Sequence, residues 1–524
     1  MKYDPWVLIA SEALNKATSN SSSWVSSVGN APVKPVDDDF YKYDAQNITK
    51  YALGDILNVR EVGLGQYNYS KAWQVLYRSE NTFGFPAATV TTIVLPVGYN
   101  STDKPANVVS YQQHEDSSFL DCNPSYSMFG SPDKDLQGIL DKGYILNFPD
   151  HEGKNSSFTA GFLEGKMTLD SLRALKNAQN FTGVNPGPTI MWGYSGGSIA
   201  SGWAAEIQAW YAPELDIKAT AVGGFVVDLL ATVELVNGTP YVGFVPPGVL
   251  GLGAEYPEFQ QLLEEQIKPD QLKFASEALS QCVLSDLVTY ANVNVFDFFK
   301  NGNAVLQNSV MLDTLNNNTL GGTTPKAPLL VYNGIEDQIA PIGKIDEVVT
   351  KYCNDNGKVR YIRVSGKDHT GTSAAKDGEI LDSFADIFAG KVWDKCEVEG
   401  LPIGEFGNNT VPKPKVFNST NSTNSTSTMS NNSTQTTVVS GSASGSANGS
   451  APGSVTTSAK GGEASKTGSA TKGGSATKGG SATGSATGSA SGSASESGAS
   501  SANAAAATGI TGLFGLAAVA IALL

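Results

Sequence analysis

Gly193-Tyr194-Ser195-Gly196-Gly197 sets one serine hydroxyl among glycines in the pattern Gly-x-Ser-x-Gly. A serine is a poor nucleophile at neutral pH. It attacks acyl carbonyls only when a base takes its proton and an acid holds that base in one tautomer. Histidine is the usual base, because its pKa lies near neutrality. Three are present: His114, His151 and His369. Where a serine sits on a strand-turn-helix, the chain order is serine, acid, histidine, and only His369 follows Ser195. Between them, Asp337 is the acid of choice. Its neighbour Glu336 is the runner-up, but a carboxylate one residue away would point elsewhere.

The flanking patterns support this reading more than the motif, which a glycine- and serine-rich chain produces readily by chance. Pro188 to Trp192 is short and apolar, like a buried strand. From Ser198 to Tyr211, Ile199, Trp203, Ile207 and Trp210 recur at helical spacing and predict one shared face. Strand, serine, helix make a sharp turn in which a side chain at Gly193 or Gly197 would collide with its neighbours. The helix start aims free N–H groups at the space above the serine. Ala327 to Gly334 reads as a buried strand, with Asp337 in the loop Ile335 to Pro341. Val359 to Val364 alternates as a strand and leads into a polar, glycine-bounded loop that carries His369. A tetrahedral intermediate also needs donors for its oxyanion. One is the N–H of Gly196. The other is expected at the junction Val108 to Asp116, where pattern alone does not separate His114, Glu115 and Asp116.

Composition divides the 524 residues unevenly. Residues 1 to about 400 carry nearly all the aromatics, whereas from about Asn418 onward the chain is Ser, Thr, Gly, Ala and Asn, with Gly-Ser-Ala-Thr repeats. Such a segment buries too little apolar surface to offset the ordering of its backbone, and is expected to be an extended stalk. Gly509 to Leu524 is apolar and short for a membrane span. Small residues, a spacer and a terminal apolar tail form a signal for glycolipid (GPI) attachment rather than a spanning helix. Asn503 is the first choice of attachment residue and Ser501 the next. Sequons at Asn47, Asn68, Asn100, Asn155, Asn180, Asn237, Asn317 and Asn408 agree with export. Met1 to Ala10 does not, because its apolar run, Trp6 to Ala10, is shorter than the core of a secretion signal. Either the true start lies upstream, which is favoured, or the chain is not exported. Cys122, Cys282, Cys353 and Cys396 form no Cys-x-x-Cys pair, so a zinc or redox site is not expected. Export suggests two disulfides, for which three pairings exist. A formal charge of −15 argues against nucleic acid as a partner.

These residues resemble the fungal secretory lipase family over roughly residues 47 to 395. The carrying blocks are Leu76-Tyr77-Arg78 with Ala88 to Thr92, then Ser110-Tyr111-Gln112 with Glu115-Asp116, and Cys122 to Tyr126. Phe148 to Gly153, the serine motif and Tyr211 to Leu215 complete the series. The resemblance implies an α/β-hydrolase fold with a helical cap. It implies Ser195 as nucleophile, Asp337 as acid, His369 as base, and Asp116 with Gly196 at the oxyanion hole. It implies the disulfides Cys122–Cys282 and Cys353–Cys396, and makes His151 structural. It implies hydrolysis of fatty-acyl esters, triacylglycerols included, or acyl transfer to alcohols. Two features depart from the family pattern: the stalk with its anchor signal, and the amino terminus.

Between Gly224 and Pro325 the strand-helix alternation is lost. Asp228 to Leu235 and Phe259 to Leu287 have helical spacing, whereas Tyr241 to Gly251, full of glycine and proline, is not expected to continue a helix. The region reads as a cap, mobile and apolar, suited to a lipid-water interface. The expected organisation is an extension over 1–46, an α/β core over 47–224 and 326–400, and a cap over 225–325. A glycosylated stalk over 401–503 and an attachment signal over 504–524 follow. The expected function is serine-dependent ester hydrolysis at the cell surface or in the wall, without metal or organic cofactor. The alternatives are a serine peptidase and a catalytically inactive surface interaction protein.

Overall fold

Apolar residues that alternate along a strand point to opposite faces of a sheet, so a sheet covered by helices on both sides shows near-continuous apolar runs. Val108-Val109, Ile190-Met191-Trp192 and Leu329 to Tyr332 are such runs. The computed structural model describes residues 33–101, 104–129 and 133–399. The stalk, the tail with Asn503 and Ser501, the sequon at Asn408 and the first 32 residues lie outside the described residues.

Ten strands are present among the described residues: β1 (Ile56–Val62), β2 (Lys71–Glu80), β3 (Pro86–Leu95), β4 (Ala106–Gln112), β5 (Ile145–Pro149), β6 (Pro186–Tyr194), β7 (Ile217–Gly223), β8 (Leu329–Gly334), β9 (Val359–Val364) and β10 (Glu397–Glu399). They form one mixed sheet in the order β1-β2-β3-β5-β4-β6-β7-β8-β9-β10. The first three are antiparallel to their neighbours, and β5 through β10 run parallel. Met191, Leu329 and Val331 pack on one face beneath the helices Gly161–Asn177 and Gly196–Tyr211. Ile190, Trp192, Leu330 and Tyr332 pack on the other beneath Lys134–Asp141 and His369–Phe388. In such sheets ligands sit beyond the carboxyl ends of the parallel strands, which is where β4, β6, β8 and β9 deliver their loops.

The helix after the serine is Gly196–Tyr211. Ile199, Trp203 and Ile207 are buried as expected, but Trp210 is 55% exposed. Trp210 is on the same face but in the last turn, where the helix ends at Tyr211. Between β7 and β8 the chain forms a helical insertion, with helices Leu229–Val236, Val245–Glu255, Pro257–Gln266, Val283–Thr289 and Ser309–Asn317. Tyr241 to Gly251 was not expected to be helical, yet Val245–Glu255 is a helix. Pro246 and Pro247 fall in its first turn, where N–H groups lack intrahelical partners, so the prolines sacrifice no bond. Gly251 serves close packing: a Cβ there would stand 2.5 Å from the backbone N and O of Phe158. The stretch Phe259 to Leu287 is broken where Pro269 intervenes.

Disulfides join Cys122 to Cys282 and Cys353 to Cys396. The first ties the segment after β4 to the insertion, and the second ties the helix Ile342–Asn354 to the approach to β10. Of the expected extension, Phe40 and Tyr41 are buried with Leu76, Ala88 and Val90 on β2 and β3.

Candidate active site

β6 ends at Tyr194, and Ser195 turns with φ 53° and ψ −124° before the helix begins at Gly196. A non-glycine residue in that conformation is strained, and strain of this kind concentrates at functional turns. The elbow closes tightly. A Cβ at Gly193 would meet the Gly197 carbonyl oxygen at 2.1 Å, and one at Gly197 would meet the Gln112 carbonyl oxygen at 1.9 Å.

His369 Nε2 lies 2.8 Å from Ser195 Oγ, and His369 Nδ1 lies 2.8 Å from Asp337 Oδ2. Asp337 accepts only, so Nδ1 carries the hydrogen and Nε2 faces the serine hydroxyl, a geometry in which the imidazole can take its proton. The acid is itself fixed. Asp337 Oδ1 accepts from the N–H groups of Ile339 and Ala340, and Asn333 Nδ2 donates to Oδ2. All three side chains are buried. His369 is the first residue of the helix His369–Phe388, one step beyond the expected loop, and its N–H donates to Gln338 Oε1. The Tyr194 hydroxyl donates to the His369 carbonyl, so the elbow also braces the base. Burial alone would lower the pKa of His369. The Asp337 charge and hydrogen bond, with Asp116 and Asp368, outweigh it and raise the pKa. Glu336 is exposed and accepts from the Lys367 N–H, away from this series.

Above the serine, Gly196 opens the helix and its N–H has no intrahelical partner. Asp116 has φ 49° and lays its carboxyl against the Gly196 Cα, where a Cβ would stand 1.7 Å from Oδ1. Burial raises the pKa of Asp116, while His114 and His369 oppose the shift. His114 is half-buried beside the Gln113 amide. His151 is buried, with Nε2 donating to the Gln113 carbonyl, and does not reach the serine. Among the described residues no group of three or more His, Cys, Asp or Glu side chains is arranged to hold a metal ion.

The secretory lipase family model matches residues 132–395. Lipase 6 of Candida albicans is 34% identical over 385 residues, spanning 68% of this chain and 82% of that protein. Lipase 1 of the same yeast is 36% identical over 61% of this chain and 73% of its own length. Candida antarctica lipase A in its closed state superposes with a TM-score of 0.64 at 28% identity, over 69% of this chain and 88% of that one. The chain belongs to the secretory lipase family. It is a carboxylic ester hydrolase with an α/β-hydrolase fold. An esterase of Xanthomonas oryzae, at a TM-score of 0.55 and 14% identity over 65% of this chain and 99% of its own, shares the fold. Membership of a secretory family makes this lipase an extracellular or secreted protein. No helix among the described residues is long and apolar enough to cross a membrane.

Beside Ser195 the lipase has an apolar cavity lined by Phe158, Ile199, Val226, Leu229, Leu252 and Ile339 among others. A second apolar cavity lies within the insertion and is lined by Ile267, Phe296, Phe299 and Met311 among others. Val233, Val245, Val249 and Leu315 line both. Several contributors were not singled out in the sequence. Asn333 donates to Asp337 and its side-chain oxygen accepts from the Phe225 N–H, yet reads only as the end of a strand. Phe158 follows the polar run Asn155-Ser156-Ser157, and the one signal there is an isolated aromatic.

Proposed function

We propose that this lipase cleaves fatty-acyl esters, triacylglycerols among them, through an acyl-enzyme on Ser195. Ser195 Oγ attacks the ester carbonyl as His369 Nε2 takes its proton. Asp337 holds the tautomer and stabilises the imidazolium. The Gly196 N–H and the Asp116 segment receive the oxyanion. His369 then protonates the leaving alcohol, and water repeats the sequence on the acyl-enzyme.

One observation carries this reading: the series Ser195–His369–Asp337 stands at the edge of an apolar cavity whose wall is shared with a second. An acyl chain gains about 0.8 kcal/mol per methylene moved from water into such a space. The insertion 225–325 supplies much of that lining and acts as a cap over the site. The names of the relatives, all lipases, agree. A glycolipid on Asn503 holds the enzyme at the cell surface, as the small-residue run and apolar tail support.

The test is an ester chain-length series on wild type and Ser195→Ala, with a peptide panel beside it. Wild-type kcat/KM is expected to rise about fourfold per methylene until the cavities are filled. Ser195→Ala loses the activity and fluorophosphonate labelling together. A flat chain-length profile, or activity on peptides alone, overturns the reading.

A further inference from the structure

Behind the oxyanion loop lies a group of buried side chains that the acyl-transfer scheme leaves unused. Glu115 comes from the loop after β4, His151 and Glu152 from the loop after β5, and Glu164 from the first turn of the helix Gly161–Asn177. All four are buried. None of the six carboxyl oxygens makes a hydrogen bond of ordinary geometry; the N–H groups of His151, Ser117 and Thr159 approach Glu115, Glu152 and Glu164 in turn, and no lysine or arginine among the described residues pairs with them.

One nitrogen of His151 is settled. Nε2 lies 2.8 Å from the Gln113 carbonyl oxygen, which only accepts, so Nε2 carries a hydrogen. Nδ1 has no hydrogen-bond partner and lies 3.6 Å from Glu164 Oε2. With no proton between them, a nitrogen lone pair would face a buried carboxylate that only the Thr159 N–H approaches. A proton on either atom removes that conflict, as Glu164 O–H aimed at Nδ1 or as imidazolium beside carboxylate.

The Gln113 carbonyl is a lever on the site. The Gln112 and Gln113 backbone packs on Gly197 in the first turn of the nucleophile helix. Three residues on, Asp116 adopts its positive φ and lies against Gly196.

We infer that His151 and Glu164 are positioning residues for the oxyanion loop, and that the proton they share keeps Gln113, and through it Asp116, in the productive arrangement. The inference rests on the serine-esterase reading above. Around the pair stand Glu115, whose Oε1 is 3.9 Å from His151 Nε2, together with Glu152 and Asp116. Asp150 also faces Glu115, but its carboxyl is occupied by the Ser125 N–H and hydroxyl. Tyr77 feels the Glu115 charge, and His114 and His369 lie beyond Asp116. Burial holds Glu164 well above the usual carboxylate range. The Thr159 N–H opposes that shift and the Asp116 charge adds to it. Burial pushes His151 down to about 4, against its bond to Gln113. Raising the pH removes the shared proton and releases the loop while the fold persists.

The test is the pH profile of kcat on p-nitrophenyl butyrate, a soluble ester, with far-UV ellipticity recorded at each pH. Wild type is expected to lose turnover on the alkaline side while its ellipticity is unchanged. Glu164→Gln, whose amide donates to Nδ1 without ionising, is expected to shift that alkaline limb upward by about one pH unit or more. Activity at acidic pH is retained. Should Glu164→Gln not fold, His151→Gln carries the test: its amide still donates to Gln113, and the alkaline limb is expected to vanish. A limb unmoved in the folded variant overturns the inference. So does a wild-type limb that coincides with loss of ellipticity. Failure of the esterase reading looks different, because turnover then survives Ser195→Ala.

Discussion

Gly224 lies under His369, the proposed base, and Gly224→Ala tests whether the position of that side chain sets the rate. The residue follows β7 with φ +50°, and an added Cβ would stand 2.6 Å from His369 Cε1 and 2.7 Å from Tyr194 Cε1. Ordinary contact begins at 3.4 Å, so the imidazole must move by about 0.8 Å. Tyr194 cannot yield in its place without moving His369, whose carbonyl it holds. Two hydrogen bonds of 2.8 Å fix the ring between Ser195 and Asp337, and a displacement of that size lengthens at least one. Misplacement of about 1 Å at a reacting group costs on the order of 10²-fold in rate, or about 2.7 kcal/mol. The strained φ separately costs about 1–3 kcal/mol of stability. Gly238→Ala separates the two effects. Gly238 has φ +73° with nothing within 4 Å of its added Cβ, so it has the strain without the contact. The assay is kcat and KM on a soluble p-nitrophenyl ester, with thermal midpoints for both variants. Gly224→Ala is expected to lose about 10²-fold in kcat with KM little changed, and Gly238→Ala to lose stability alone. A folded Gly224→Ala enzyme with wild-type kcat refutes the reasoning.

Asp337→Asn is expected to lower kcat by about 10⁴-fold, because the base is then held in the wrong tautomer. Asp337 raises the pKa of His369, and the base must be neutral to act, so the residual acidic limb of this variant should move to lower pH. A limb that moves up would contradict the assignment. Burial raises Glu115, Glu152 and Glu164 well above ordinary carboxyl values. Their folded form therefore keeps protons that the unfolded chain releases. Stability is full below the ordinary carboxyl pKa and is lost as pH rises through the folded values. Thermal midpoints should fall as pH rises above the ordinary carboxyl pKa, and a rise over that range would exclude this sign. Deleting residues 503–524 should release the enzyme into the medium, and retention on cells would exclude the glycolipid.

Much of the site was legible because each of its parts obeys a local rule. Ser195 sits where a short continuous apolar run gives way to a period near 3.6, and that change is written in consecutive residues. Asp337 and His369 follow β8 and β9, and their order after the serine narrows the choice. The choice among His114, Glu115 and Asp116 was not legible, because it depends on a backbone twist at Asp116 that no neighbouring residue announces. The helix Val245–Glu255 was misread because proline forbids a helix interior but suits its first turn, and pattern alone does not locate the turn. The buried acids were invisible for a simpler reason. Glu115, Glu152 and Glu164 come from three separate segments, and each alone reads as a solvated charge.

The bond between Cys122 and Cys282 spans 160 residues and has company. The Ser117 hydroxyl donates to the Gln281 carbonyl, and the Ser118 hydroxyl to that of Ala278, directly after Asp116. The insertion is thus riveted to the segment that follows Asp116, the residue proposed to help hold the oxyanion. A body pinned at one margin does not lift away whole; it swings about the pin, with its widest excursion at the opposite margin. Any swing of the insertion is therefore smallest beside Asp116 and largest at the far margin.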